Sequence, residues 1–373
     1  MRLRWLCLPR LAATTIKPNT ILSGDALTHL KSFPDSVIDC VMTSPPYWNL
    51  RDYDVAGQLG LEPNIEEHMA RLCGVFDEVR RVLKPSGTCW VNLADSFAAK
   101  TAMRNEGFNK RWHGKKYAGQ KQAATDKARP LRKTPNVREK SLCLIPFRFA
   151  IEMVNRRWIL RNVIVWQKPN CMPSSAKDRF TIDFEFLFFF TKSKKYFFDV
   201  QFEPHSEVTK RRVHNFIKNG ERFDPRRHKF HSSSGQIPYQ VLERIARNGL
   251  HPLGRNKRCV WSIPTQAFFG AHYATYPEAL CEIPIRAGCP EAICSKCGKP
   301  RKKIPGREQG SSAGSAGYTN CSCERPWTPG IVLDPFLGAG TTSAGRPQTQ
   351  ASIHRHRTES GLYQNCPEPA CCI

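Results

Sequence analysis

The sequence predicts an α/β protein built on a doubly wound sheet, and three segments carry this prediction. The run Ser36 to Thr43 (SVIDCVMT) is apolar and stops at two prolines, as a buried parallel strand does. The segment Ile65 to Val82 has apolar residues at helical spacing, and a strand, Thr88 to Leu93, follows it. A further apolar strand, Ile331 to Asp334, runs into a glycine loop. This alternation is typical of sheets with helices on both faces.

The other elements fit the same alternation. They are a strand at 19–23, a helix at 26–33, a helix at 145–154, and strands at 160–166 and 184–191. Residues 98–140 are polar and basic without apolar periodicity, so they are predicted to form a loop that can bind phosphate. Residues 200–275 hold a second basic block with interleaved Phe and Tyr, which is predicted to be a separate module.

Positive charge is the main compositional feature of the chain. Lys and Arg total 57 against 32 Asp and Glu, a formal net charge of +25 in 373 residues. Such a charge favours a polyanionic partner, and nucleic acid is the first expectation. The arginines among the first 15 residues and the lack of a long apolar run favour a cytoplasmic location without membrane contact. The 16 dispersed cysteines are as expected in a reducing compartment.

An acceptor-rich loop follows the first buried strand, and it reads TSPPYWNLRDY from Thr43. Pro45 and Pro46 carry no backbone N–H, so this loop offers carbonyl oxygens and the Ser44 hydroxyl as acceptors. Such acceptors suit an amino group on an aromatic ring, because holding its two hydrogens localises the nitrogen lone pair. Tyr47 adds a flat face. A simple proline turn is the alternative interpretation, and Trp48 fits a place in the core equally well.

A glycine loop after the last predicted strand is the second motif. Residues 331–342 read IVLDPFLGAGTT, an apolar strand followed by glycines and a potential helix start. Backbone N–H groups in this setting receive nucleotide-like ligands. Two strand-terminal motifs in this order favour an enzyme over a simple turn.

Together the motifs resemble those of the permuted, β-class amino-DNA methyltransferases, in which the catalytic motif comes first and the cofactor motif last. The resemblance covers residues 19–342 and includes GTCWVNLADS from Gly87, LIPFRFAIEM from Leu144 and WQKPNCMPSSAKDRF from Trp166. It implies a Rossmann-like S-adenosylmethionine-dependent methyltransferase sheet with a basic inserted target-recognition region. It also implies S-adenosyl-L-methionine as the cofactor, double-stranded DNA with a flipped target base, and a cognate restriction endonuclease as a partner.

The resemblance assigns roles to particular residues. Those that hold the target base are Ser44, Pro45, Pro46 and Tyr47. Those that line the cofactor pocket are Asp25, Asp334, Pro335, Phe336, Gly338, Gly340 and Thr341. The implied division is a catalytic part at 19–199, target recognition at 200–275, a cofactor part at 276–342 with a cysteine-rich insertion at 289–325, and an aberrant tail at 343–373. Ser44 favours N4 of cytosine as the target; N6 of adenine and structured RNA are the alternatives.

Two close cysteine pairs lie in the insertion. Cys294 and Cys297 form a CxxC pair, and Cys321 and Cys323 form a CxC pair. Four thiolates can close a structural tetrahedral zinc site. The shorter second spacing and the nearby Cys289 leave a competing ligand and unliganded thiols as alternatives.

The family pattern stops at Thr342. A helix and then a strand ending in an acidic residue for the cofactor ribose should follow, but the chain has no helical apolar period there and places Pro347 within the expected helix. Codons exist that encode His354 to Ile373 as written and, one base later, read IGIELNPDYIKIAQNRLAA, which resembles the family's continuation. We therefore predict a one-nucleotide frameshift near Thr342. A catalytically impaired DNA-binding remnant is the alternative function that this tail favours.

Overall fold

The computed structural model describes residues 19–50, 57–98, 137–218, 249–266, 276–305, 315–338, 341–344 and 370–372. The helices in these ranges are α1 (Ala26–Ser32), α2 (Ile65–Val82), α3 (Ile145–Asn155), α4 (Glu207–Lys218), α5 (Glu278–Gly288) and α6 (Thr341–Ala344). The strands are β1 (Ile21–Ser23), β2 (Ile38–Thr43), β3 (Leu83–Leu93), β4 (Ile159–Gln167), β5 (Phe184–Thr191), β6 (Phe202–Glu203), β7 (Arg255–Asn256), β8 (Val260–Ser262), β9 (Ile293–Cys294), β10 (Lys303–Pro305), β11 (Ser315–Tyr318), β12 (Trp327–Thr328), β13 (Val332–Leu333) and β14 (Ala370–Cys372).

A six-stranded mixed sheet forms the centre of the first of two compact units, with the strand order β13-β2-β3-β5-β4-β8. β13, β2 and β3 run parallel. β5 is antiparallel to both of its neighbours, and β8 returns parallel to β4. The carboxyl ends of β13, β2 and β3 therefore lie at one edge of the sheet.

Side chains alternate between two hydrophobic cores, one on each face of the sheet. Val41 and Phe188 pack into the core that contains the buried residues of α1, α2 and α3. Met42, Trp90 and Phe189 pack into the opposite core with the buried residues of α5. Trp90 and Phe189 stack with their ring centroids 3.9 Å apart. Helices cover both faces, which confirms the predicted doubly wound α/β class.

Two strands differ from the sequence prediction. β3 begins at Leu83, directly after α2, because Leu83 already pairs with Ile38 before the register shifts next to Gly87. An added Cβ at Gly87 would lie 2.6 Å from Leu83 Cδ1, so this close approach requires glycine. β1 lies outside the six-stranded sheet and pairs antiparallel with β14. Among the described strands, β13 therefore forms one edge of the central sheet.

The second unit comprises Asp199–Arg258 and Lys302–Asn320. In it β6 pairs with β7, β10 pairs with β11, and Glu203 accepts hydrogen bonds from Arg255 and Arg258. The unit begins one residue before the predicted recognition region, and it ends at Arg258 because β8 joins the central sheet. Residues 219–248 and 267–275 of that region, and 99–136 of the predicted basic loop, lie outside the described residues. Within the described ranges, no helix has the length and apolar character needed to cross a membrane.

Candidate active site

The two sequence motifs leave neighbouring parallel strands at the same edge of the sheet. Leu333 at the end of β13 pairs with Val41 in β2, so the loops that follow the two strands begin side by side. Thr43 Oγ1 donates a hydrogen bond of 2.5 Å to Asp334 Oδ1 and joins the loops directly. Open α/β sheets bind their ligands at this edge.

Asp334 uses both carboxylate oxygens within the protein and is 1% exposed. Oδ1 also accepts from the Phe336 backbone N–H at 2.9 Å, and Oδ2 accepts from Thr342 Oγ1 at 2.6 Å and from Tyr276 OH at 3.1 Å. Burial raises the pKa of Asp334 even though these donors favour the carboxylate. The side chain predicted to line the cofactor pocket thus fixes the shape of the glycine loop from beneath.

Tyr47 is the centre of a second network, at the end of β2. Its hydroxyl donates to Glu185 Oε2 at 2.7 Å and lies 3.3 Å from Asn92 Oδ1. Ser44 Oγ donates to the same hydroxyl at 3.5 Å. Burial and the neighbouring Glu185 raise the pKa of Tyr47 well above its ordinary value, so the phenol stays protonated and donates. The structure therefore brings together Ser44 and Tyr47, as the motif predicted.

Glu185 extends this network to a residue that sequence reasoning did not single out. Its other oxygen, Oε1, pairs with Lys168 Nζ, which lies 4.6 Å from the centre of the Trp166 ring. The resulting chain runs from Ser44 through Tyr47 and Glu185 to Lys168. The available signal was Glu185 itself, a single charge inside the aromatic strand FEFLFFFT.

A brace of buried polar groups holds the far side of the proline loop. Trp48 is 2% exposed and donates from Nε1 to the Glu62 carbonyl at 3.2 Å, so the interpretation of Trp48 as core is confirmed. The Glu62 carboxylate accepts from Gly60 N–H, His68 Nδ1 and Arg71. Burial alone would raise the pKa of Glu62, but the hydrogen bond and charge of His68 bring it below the ordinary value.

The remaining predicted cofactor residues are spread over two places. Phe336 is buried, Gly338 adopts a left-handed φ of +56°, and Thr341 begins α6. Pro335 lies between Asp334 and Phe336, and Gly340 lies outside the described residues. Asp25 caps α1 and accepts from the Thr28 N–H at 2.8 Å, so its contact with a cofactor stays a prediction.

The four cysteines predicted to bind zinc do meet. The Sγ atoms of Cys294, Cys297, Cys321 and Cys323 all lie within 4.8 Å of one another. Cys289 is not in this group, and its thiol packs against Gly330 and the Pro290 carbonyl.

Comparison with known families identifies the class of enzyme to which this geometry belongs. The N6/N4 family model described as DNA methylase matches residues 38–345, so the chain belongs to this family and is a DNA amino-methyltransferase. It is similar to the Type II methyltransferase M.XycI of Xanthomonas campestris pv. cyanopsidis, 35% identical over 279 residues that cover 73% of each chain. It is also similar to the Type II methyltransferase M.SmaI of Serratia marcescens, 31% identical over 325 residues that cover 86% of this chain and 80% of the relative.

Solved structures were compared as well. The DNA modification methylase TTHA0409 of Thermus thermophilus, in complex with S-adenosyl-L-methionine, gives a TM-score of 0.40 at 17% identity, covering 87% of this chain and 81% of that one. The cytosine-N4-specific PvuII DNA methyltransferase gives 0.36 at 20% identity, covering 72% and 70%.

Proposed function

We propose that this chain transfers the methyl group of S-adenosyl-L-methionine to N4 of a cytosine within a specific duplex DNA sequence. The observation that carries the proposal is the hydrogen bond from Thr43 to Asp334, which joins a base-holding loop to a glycine loop at one sheet edge. N6 of adenine is the alternative target, because both amino groups present two hydrogens to the same acceptors. Ser44 favours cytosine.

Ser44, Pro45, Pro46 and Tyr47 are proposed to hold the target base. The acceptors of this loop take the two amino hydrogens and localise the nitrogen lone pair, which then attacks the methyl carbon. The bond between methyl carbon and sulfur breaks, sulfur keeps its electron pair, and the amino nitrogen releases one proton. No covalent bond between enzyme and base is needed.

Tyr47 is proposed to stack against a base that has been flipped out of the duplex. Its hydroxyl is tied to Glu185, and Lys168 neutralises that carboxylate on its other side. The ring is therefore fixed in orientation before the base arrives, which lowers the cost of ordering the complex. Glu185 and Lys168 act through Tyr47 and are proposed as positioning residues.

The glycine loop fits a nucleotide-like cofactor by its backbone. Gly338 has the left-handed conformation that lets a chain approach a ligand closely. The proposed lining residues are Asp25, Asp334, Pro335, Phe336, Gly338, Gly340 and Thr341. S-Adenosyl-L-methionine supplies an electrophilic methyl group when bound. The role of Asp334 is to hold the loop, because both of its oxygens already accept protein donors.

The proposed organisation follows from charge and motif order. The basic residues in 200–275 are proposed to neutralise DNA phosphates and to read the recognition sequence, between a catalytic part at 19–199 and a cofactor part at 276–342. Since the relatives named above are Type II methyltransferases, a cognate restriction endonuclease is the proposed partner in the cell.

The tail after Thr342 is proposed to be out of frame. In support, β13 is an edge of the central sheet among the described strands, and β1 pairs with β14 instead of with that sheet. A family-like helix and strand after Thr342 would supply a further neighbour for β13. This observation also favours a second candidate function, a DNA-binding remnant that no longer transfers methyl groups.

The test of the target is methyl transfer from labelled S-adenosyl-L-methionine to unmethylated duplex DNA, followed by digestion to nucleosides. Label in N4-methylcytosine supports the proposal, and label in N6-methyladenine selects the alternative. Preferential labelling of structured RNA in direct competition would contradict DNA as the substrate. DNA retention without any cofactor binding would favour the remnant.

A further inference from the structure

Two cysteine turns in the first unit place four sulfur atoms around one point. Cys294 lies in β9, and Trp327 of β12 pairs with it across a short antiparallel ladder. Cys297 follows in the turn after β9, and Cys321 and Cys323 lie before β12. Sequence segments 24 residues or more apart thus supply two ligands each, with all four Sγ atoms within 4.8 Å of one another.

The backbone of both turns is shaped around sulfur. Gly298 has a left-handed φ of +68°, and its N–H donates to the Cys294 carbonyl at 3.0 Å. This turn aims the N–H groups of Lys296 and Cys297 at Cys294 Sγ. The second turn repeats the arrangement, because Glu324 has φ +47° and the Cys323 N–H donates to Cys321 Sγ. N–H groups that point at sulfur stabilise the negative charge of a metal-bound thiolate.

We propose that Cys294, Cys297, Cys321 and Cys323 bind one Zn²⁺ in a closed, structural tetrathiolate site. Zinc–sulfur bonds of about 2.3 Å place tetrahedral sulfurs about 3.8 Å apart, so closing the group from 4.8 Å needs only small side-chain movements. Each bound thiol releases its proton, and the metal is neither oxidised nor reduced. Four protein ligands leave no open position, so this metal takes no part in methyl transfer.

Neighbouring thiols do not compete for this site. All four cysteines are free, and a disulfide would use only one pair of them. Cys289, the competing ligand by sequence, is buried against Gly330, where an added Cβ would lie 2.7 Å from its Sγ. Its thiol is therefore committed to packing.

The position of the site gives the metal a structural purpose. The two cysteine pairs flank residues 302–320, so one ion holds the start and the end of that segment. The second pair leads through Gly330, whose N–H donates to the Pro290 carbonyl at 3.2 Å, into β13 and Asp334. Zinc is thus inferred to fix the register of the strand that carries the glycine loop. The assignment does not rest on the proposed methyl transfer.

The test is the metal content of the full chain, purified without a metal-affinity tag and measured by inductively coupled plasma mass spectrometry. We expect about one zinc per chain. Cys297→Ser and Cys321→Ser should lose most of it, whereas Cys259→Ser, at an exposed thiol outside the group, should keep it. A wild-type chain without zinc after growth in zinc-supplemented medium would overturn the proposal, as would full zinc in both ligand variants.

A second measurement covers variants that fail to fold. A mercurial reagent is titrated into the wild-type chain while a chromogenic chelator records released zinc. Release of one zinc as four thiols react is expected, and Co²⁺ substitution should give the intense visible absorption of a tetrahedral tetrathiolate. Zinc release that does not follow thiol modification, a weak octahedral cobalt spectrum, or iron as the bound metal would each contradict the assignment.

Discussion

Replacing Tyr47 by phenylalanine removes one hydroxyl and keeps the ring. The lost contact is the 2.7 Å hydrogen bond to the Glu185 carboxylate, and Glu185 keeps its ion pair with Lys168. A hydrogen bond to a charged group contributes about 1.5–3 kcal/mol, which corresponds to about 10- to 150-fold in rate if the ring orientation matters only in the transition state. We therefore expect Tyr47→Phe to reduce single-turnover methyl transfer within this range.

DNA retention should change little, because phosphate contacts in the basic regions dominate it. Tyr47→Ala also removes the stacking face, at about 1–3 kcal/mol, so its turnover should fall further while the Kd for DNA stays within about twofold. The matched control is Tyr196→Phe, which loses the contact between Arg161 Nε and the Tyr196 hydroxyl at 2.9 Å. Wild-type turnover in Tyr47→Phe, or equal losses of turnover and DNA retention in Tyr47→Ala, would refute the role given to Tyr47.

Three further perturbations test the surrounding structure. Asp334→Ala leaves the Thr43 hydroxyl and the Phe336 N–H without their acceptor, at about 1–3 kcal/mol each, so urea unfolding should show a loss of about 2–6 kcal/mol; a loss below about 1 kcal/mol would contradict the network. The folded pKa of Glu62 lies below 4.5, so its contribution to stability is present above that pH and is lost as the pH falls through the folded pKa. The stability difference between wild type and Glu62→Gln should therefore shrink in acid, and a constant difference would be inconsistent with this pairing. DNA affinity should fall linearly with salt on logarithmic axes, by a slope of about 0.9 per phosphate contact, and salt-independent retention would argue against the phosphate contacts.

Elements with strong periodicity were predictable from the sequence. α2 begins at Ile65 and ends at Val82 as predicted, and β5 spans Phe184–Thr191 as predicted. These segments bury nearly all of their apolar side chains, so local pattern and tertiary packing agree. The start of β3 was missed, because Lys84-Pro85-Ser86-Gly87 is typical of a turn and pairing with β2 determines its conformation.

The site was predictable in its loops and not in its supports. Ser44 and Tyr47 were found because proline and aromatic residues directly after a buried strand carry chemical meaning. Glu185 was missed because its meeting with Tyr47 depends on the antiparallel register of β3 with β5, which the sequence does not specify. Tyr276 was missed for a similar reason, because only the folded chain brings it to Asp334.

The most direct test of methyl transfer by this chain compares the chain as written with a version whose tail is restored to IGIELNPDYIKIAQNRLAA from residue 354. Both are incubated with labelled S-adenosyl-L-methionine and unmethylated duplex DNA, and incorporated methyl is counted per chain. We expect transfer in the restored version and little or none in the chain as written. Equal activity in both would contradict the proposed frameshift, and no transfer by either, with DNA still retained, would contradict methyl transfer as the function.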